Sequence, residues 1–199
     1  MSQEIIYALI AIGIILLWIF PLWGDIIKWR TIPHPFTTGV WTVIVGLNLF
    51  ILYLHGEFIG MAPVILVLAT LIWETIIGIL QFKKIHINWF DTLCMISATF
   101  CVVYYTIYQN ALYTVMLTIL IDILAILPTF KKSWLAPWSE TAINYFFSGL
   151  SHIFIVLSLE APTSETMIFW IYIVGINSCL VVFMLSRRWY LKGWRSIFE

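Results

Sequence analysis

Five side chains in an otherwise apolar chain have the types and positions to do chemistry: Glu74, Asp122, His152, Asn177 and Asn48. Each falls well inside a long hydrophobic run, and no Lys or Arg occurs in any of those runs to pair with the two carboxylates. Burial without a cation disfavours a charged carboxylate, which makes Glu74 and Asp122 candidate proton carriers. The plainer alternative for both is a protonated carboxyl bonded to the carbonyl of a neighbouring helix. Trp41 and Asn48 are seven residues apart, two helical turns on one face. Tyr145 and His152 repeat that spacing, with Ser148 near the same stripe. An aromatic platform beside an amide or imidazole suits a polar ring-shaped or zwitterionic solute. Apolar walls with a few placed polar groups are the usual form of a small-molecule site. Trp41, Asn48, Trp73, Tyr145, His152 and Asn177 are therefore the expected substrate-binding residues. Against this stand interhelical hydrogen bonding for the two asparagines and simple packing for the histidine. Asp91 and Glu140 sit where a carboxylate caps a helix and favours its dipole. Asp25, Glu57, Glu160 and Glu165 are expected to be solvated loop charges.

The elements that must hold these groups follow from composition. The chain has 199 residues, 62% hydrophobic and only 10% charged, with mean hydropathy +1.01. A soluble domain carries roughly 25% charged residues, so this chain has too little polar surface to face water all round. Apolar runs at about 5–24, 36–54, 58–81, 90–108, 111–130, 138–160 and 166–186 approach the ~20 residues a spanning helix needs. They must be helices, because only a helix or a closed barrel satisfies its backbone in lipid, and the alternation of barrel strands is absent.

All ten Lys and Arg lie in four clusters: Lys28/Arg30, Lys83/Lys84, Lys131/Lys132, and Arg187, Arg188, Lys192 and Arg195. The intervening connections, near 55–57, 109–110 and 160–165, hold none. The positive-inside rule turns this into seven spans with the amino terminus outside and the carboxyl terminus cytoplasmic. Trp134, Trp138, Trp189 and Trp194 flank the inner ends, where amphipathic rings prefer to sit. The basic tail reads as a stop-transfer anchor with snorkelling cations. The amino terminus lacks the basic region and cleavage site of a removable signal peptide, so the first span is expected to be retained. The compact loops fit a prokaryotic inner (plasma) membrane.

Shifting the chain by about 104 residues aligns Lys28 with Lys132, Pro33 with Pro137, Trp41 with Tyr145, Asn48 with His152 and Trp73 with Asn177. The expected fold is all-α and integral to the membrane. Its seven transmembrane helices form 3+1+3 parallel triple-helix repeats: 1–85, a linker helix in 86–110, and 111–199 with the basic tail. Such repeats are related by an axis along the membrane normal. Pro21 and Pro128 fall near the inner ends of the first helix of each triplet. Proline weakens a helix by removing a donor, so the pair are candidate hinges; alternatively each simply ends its helix.

The stretch Pro21-Leu-Trp-Gly-Asp-Ile-Ile-Lys28-Trp-Arg30-Thr31 resembles the start of a PQ-loop or SWEET repeat, and Pro128-Thr-Phe-Lys-Lys-Ser133 is similar to the opening and closing of the same motif. Leu22 and Thr129 stand where that pattern has glutamine, and the second loop is shortened. The resemblance implies a seven-helix fold and a carrier of sugars, amino acids or similar metabolites. It leaves open receptor-like members of the same group.

Other classes fare worse. There is no H-E-x-x-H, no G-x-S-x-G and no C-x-x-C pair, so an enzyme, a metal or a cofactor is not expected. Cys94 and Cys101 share a helix face and, like Cys179, read as small packing residues. A lysine-linked retinal protein is excluded by the lack of lysine in any span. Nucleic acid is excluded as a partner because topology accounts for every basic residue. Two functions remain: a small-solute transporter working by alternating access, with or without proton coupling, or a non-transporting receptor or assembly protein of the same fold. Expected partners are a polar solute and membrane lipid, with self-association left open.

Overall fold

In the computed structural model, residues 2–28, 35–80, 89–135, 137–138 and 142–192 are described. They form seven helices: α1 Gln3–Ile27, α2 Pro35–Leu54, α3 Phe58–Leu80, α4 Trp89–Tyr108, α5 Ala111–Leu135, α6 Ala142–Leu157 and α7 Ser164–Lys192. Arg30, Pro33, Lys83, Lys84, Glu140, Trp194 and Arg195 lie outside the described residues, as do the side chains of Pro21, Asp25, Asp91, Cys94, Pro128, Lys131, Lys132 and Lys192.

Local chemistry sets several of the helix ends. After α2 the chain closes a Schellman motif: Glu57 N–H bonds Leu52 O at 3.0 Å and Gly56 N–H bonds Tyr53 O at 3.1 Å. That closure needs a left-handed residue, supplied by Gly56 at φ 75°. The α4–α5 turn is shorter still. Gln109 takes the left-handed conformation at φ 49°, and Asn110 Oδ1 then accepts from Tyr113 N–H at 3.1 Å, capping α5. Ahead of α7, Thr163 and Thr166 make a reciprocal capping pair: Thr166 Oγ1 accepts from Thr163 N–H at 2.9 Å, and Thr163 Oγ1 from Thr166 N–H at 3.4 Å.

Four helices are long and apolar enough to cross a membrane, over Gln3–Gly24, Thr37–Leu54, Phe58–Leu80 and Ser164–Leu191. Three shorter apolar helices accompany them, Met95–Tyr108, Ala111–Leu127 and Ala142–Leu157. At 1.5 Å per residue, the described part of the last of these reaches about 24 Å, against a ~30 Å hydrocarbon core. Phe20, Leu80, Ile96, Leu135 and Val182 are exposed on the outer faces, a surface that water would not tolerate. The chain is a helical membrane protein. Positions 21 and 128 both fall inside their helices, since α1 runs on to Ile27 and α5 to Leu135. Neither proline therefore ends its helix.

The packing has a regular plan. α3 lies against both α1 and α2, and α7 against both α5 and α6. Between these two groups, α1 meets α6, α2 meets α5, α2 meets α7 and α3 meets α6. Exchanging α1 with α5, α2 with α6 and α3 with α7 carries that set of neighbours onto itself. α4 packs on α2 and α5, burying Ala98 and Cys101 while exposing Phe100, Val103 and Ile107. The core fills with Ile15, Ile19, Ile44, Ile51, Val64, Ile155, Phe169 and Trp170. In lipid such contacts act through close van der Waals fit, which small residues permit. A Cβ on Gly149 would stand 3.3 Å from Asn177 Cβ, and one on Gly60 would stand 2.8 Å from Leu159 Cδ2.

Candidate functional site

Polarity in the interior gathers where α2 meets α5 and α7. On α5, Thr114, Thr118 and Asp122 follow at four-residue spacing, hence on one face, and all three are buried. Asn48 of α2 donates from Nδ2 to its own Ile44 O at 2.9 Å and reaches Thr118 Oγ1 across the seam at 3.4 Å. Thr118 donates in turn to Val115 O at 2.8 Å. One turn along α5, Asp122 is 4% exposed. Its Oδ2 accepts from the Tyr172 hydroxyl of α7 at 2.7 Å. Trp41 of α2 presents its indole N–H to the same carboxyl group, though outside full hydrogen-bond geometry. Three helices thus converge on one carboxyl.

The matching seam between α1 and α6 is different. The positions about 104 residues before Thr118, Asp122 and Tyr172 hold Ile14, Trp18 and Leu68. Trp18 has a buried indole N–H with no partner among the described residues, and so does Trp23. Two seams of similar layout therefore carry unlike chemistry, and the carboxyl sits in only one of them.

The remaining expected site residues are distributed over other helix contacts. His152 is buried, with Nδ1 2.7 Å from Ser148 O in its own helix, and its ring stacks on Trp170 of α7 at 5.7 Å. A carbonyl only accepts, so Nδ1 carries the proton and Nε2 keeps its lone pair in the neutral ring. Asn177 is also buried; it donates to Ile173 O at 2.9 Å and packs its Cβ toward Gly149. Trp73 meets Trp23 of α1 with ring centroids 5.2 Å apart. Tyr145 joins a small apolar cluster with Ile126, Leu180 and Met184. Glu74 is 8% exposed and makes no hydrogen bond with another described residue. Of the six expected binding residues, Trp41 and Asn48 share the α2–α5 seam with Asp122, whereas His152 and Asn177 lie between α6 and α7.

Thr118 and Tyr172 escaped the sequence reading. Four-residue spacing of Thr114, Thr118 and Asp122 in an apolar run was the signal for the first. Nothing distinguishes Tyr172 from the chain's other aromatics before the helices are packed. Glu57 and Glu160 require correction. Neither is simply a solvated loop charge: Glu57 is 0% exposed, and its carboxylate accepts the backbone N–H groups of Glu160 and Ala161, the latter at 3.0 Å. Glu160, exposed on its outer side, returns the contact, accepting Ile59 N–H at 3.0 Å.

At the opposite end, Arg187 donates from Nε to Trp134 O at 3.1 Å and places its guanidinium 4.1 Å from the Trp134 ring. Arg188, itself buried, donates to Pro137 O at 3.0 Å. These two cations tie α7 to the end of α5 and do more than snorkel. Among the described residues no group of three His, Cys, Asp or Glu could hold a metal ion. No protein-family model, curated protein or solved structure matches the chain.

Proposed function

We propose that this chain is a small-solute transporter working by alternating access. All seven helices cross the membrane, with the amino terminus outside and the carboxyl terminus cytoplasmic, in an inner (plasma) membrane of prokaryotic type. α1–α3 and α5–α7 act as two triple-helix repeats joined by α4, the organisation implied by the resemblance to PQ-loop and SWEET repeats. The exchange symmetry of the helix contacts supports this arrangement. The observation that carries the function is the buried polar seam of Asn48, Thr118, Asp122 and Tyr172, because it lies where one triplet meets the other. A solute or proton bound there contacts both moving parts. That is the place where binding energy can bias a two-state packing.

In this reading Trp41 offers an apolar face to a sugar or amino acid, while Asn48 and Thr118 supply hydrogen bonds. Asp122 carries the coupled proton. When ionised it only accepts, and Tyr172 donates to it; when protonated it gains a donor of its own, so the α5–α7 link responds to its charge. Glu74 has no such bond to another helix among the described residues and is the weaker coupling candidate. Pro21 and Pro128, inside their helices, supply the flexing points, since a proline removes one helical hydrogen bond.

The test is a thermal-stability screen of purified protein against sugars, amino acids, nucleosides and vitamins at pH 5.5 and 7.5, followed by vesicle flux. A ligand that binds only the folded state raises the melting temperature. A stabilising ligand whose effect is lost in Asn48→Ala, and which crosses vesicle membranes, is the expected result. A ligand that binds without any flux would make the chain a receptor of the same architecture. No ligand and no flux would remove the proposal.

A further inference from the structure

Three carboxylate–amide bonds join the α2–α3 connection to the α6–α7 connection. Glu57 takes the N–H groups of Glu160 and Ala161, and Glu160 takes that of Ile59. The arrangement is reciprocal: each connection sends one carboxylate into the backbone of the other. It is also sterically prepared. The Schellman closure at Gly56 fixes where Glu57 leaves α2. The missing side chain at Gly60 lets Leu159 lie against α3, since a Cβ there would stand only 2.8 Å from Leu159 Cδ2. Ser158 and Leu159 are buried as a result. The first N–H groups of α3 have no intrahelical partner, so a negative charge at Ile59 is also favoured by the helix dipole.

We infer that this clasp is a gate, closed in this structure, at the end of the bundle where the connections carry no Lys or Arg. The inference rests on the alternating-access reading, which requires α3 and α6–α7 to separate at one end of the bundle. A carboxylate bonded to backbone amides suits such a joint. Each bond is strong because one partner is charged, yet when it breaks, water can solvate both the carboxylate and the amides. An apolar plug would offer no such exchange of partners. The clasp also explains why a carboxylate is fully buried with no cation beside it among the described residues: backbone dipoles stand in for the missing positive charge.

The test uses the full chain in vesicles, with Cys94, Cys101 and Cys179 replaced by serine and a single reporter, Leu159→Cys. Its reaction rate with a membrane-impermeant maleimide reads how often this end opens. Glu57→Ala is expected to raise that rate about tenfold, the scale of losing a charged hydrogen bond. Glu57→Gln, which keeps one acceptor oxygen and covers the case in which Glu57→Ala fails to fold, is expected to raise it less. Pairing Gly60→Cys with Leu159→Cys under oxidation should lock the end shut and stop solute flux, with reduction restoring it. Equal maleimide rates in wild-type, Glu57→Gln and Glu57→Ala backgrounds would overturn the gate. The labelling arm needs no substrate: rates that rise while no solute crosses would refute transport and keep the clasp as an opening joint. Flux that survives the disulfide lock would refute the gate and keep transport.

Discussion

Replacing Tyr172 with Phe removes the 2.7 Å donor to Asp122 and leaves a buried carboxyl short of a partner. The expected cost is about 1–2 kcal/mol, read by denaturation of purified protein. Asp122→Asn keeps the size and an acceptor oxygen, so it should cost less while abolishing any dependence of uptake on a pH gradient. The double variant should cost less than the sum of the two, because both single changes act on the same bond, one removing its donor and the other its charge. Asn48→Ala belongs to another kind of residue. Its strongest bond is within its own helix and its bond across the seam is long, at 3.4 Å. Interhelical polar bonds in membranes average about 0.6 kcal/mol, so folding should tolerate the change even where solute binding does not. Unequal behaviour of this kind separates a binding residue from a structural one. Position in an apolar run was enough to find Asp122 and Asn48. It was not enough to find Tyr172, because what Tyr172 does depends on a contact fifty residues away in sequence.

The helices, though not all of their ends, were legible for local reasons. Apolar length marked the spans, and the Gly56 and Asn110 turns follow from residue chemistry that needs no tertiary partner. Gly56→Ala should cost about 1 kcal/mol, the penalty for forcing a side chain into the left-handed region, and should also displace Glu57 from its amides. A melting curve checks the first effect and Leu159→Cys labelling the second. Glu57 and Glu160 were misread because a carboxylate in a short connection is ordinarily solvated. What buries Glu57 is another connection about a hundred residues on, and no periodicity within α2 or α3 announces that. Span length was also overstated for α6 at its far end, where the apolar run to about 160 passes Leu157, the last residue of the helix.

Across the whole molecule, the exchange symmetry of helix contacts is the pattern that the proposed repeat, an offset of about 104 residues in sequence, would produce. The chemistry does not follow the symmetry: one seam holds Thr118 and Asp122 where the other holds Ile14 and Trp18. One specialised seam in the proposed duplicated scaffold is expected to bind one solute at a time, and binding stoichiometry by calorimetry should be one per chain. Topology has its own check: a fluorescent protein fused after Glu199 should fold and fluoresce in the cytoplasm, and a cysteine placed at Gln109 should react with impermeant maleimide from outside. The most direct measurement is uptake of sugars and amino acids into vesicles with an imposed pH gradient, comparing wild type with Asp122→Asn and Asn48→Ala. Concentrative uptake of one solute class, uncoupled from the gradient by Asp122→Asn and lost in Asn48→Ala, is the result predicted here. Folded wild-type protein that moves none of these solutes, or uptake unchanged in both variants, would contradict the account.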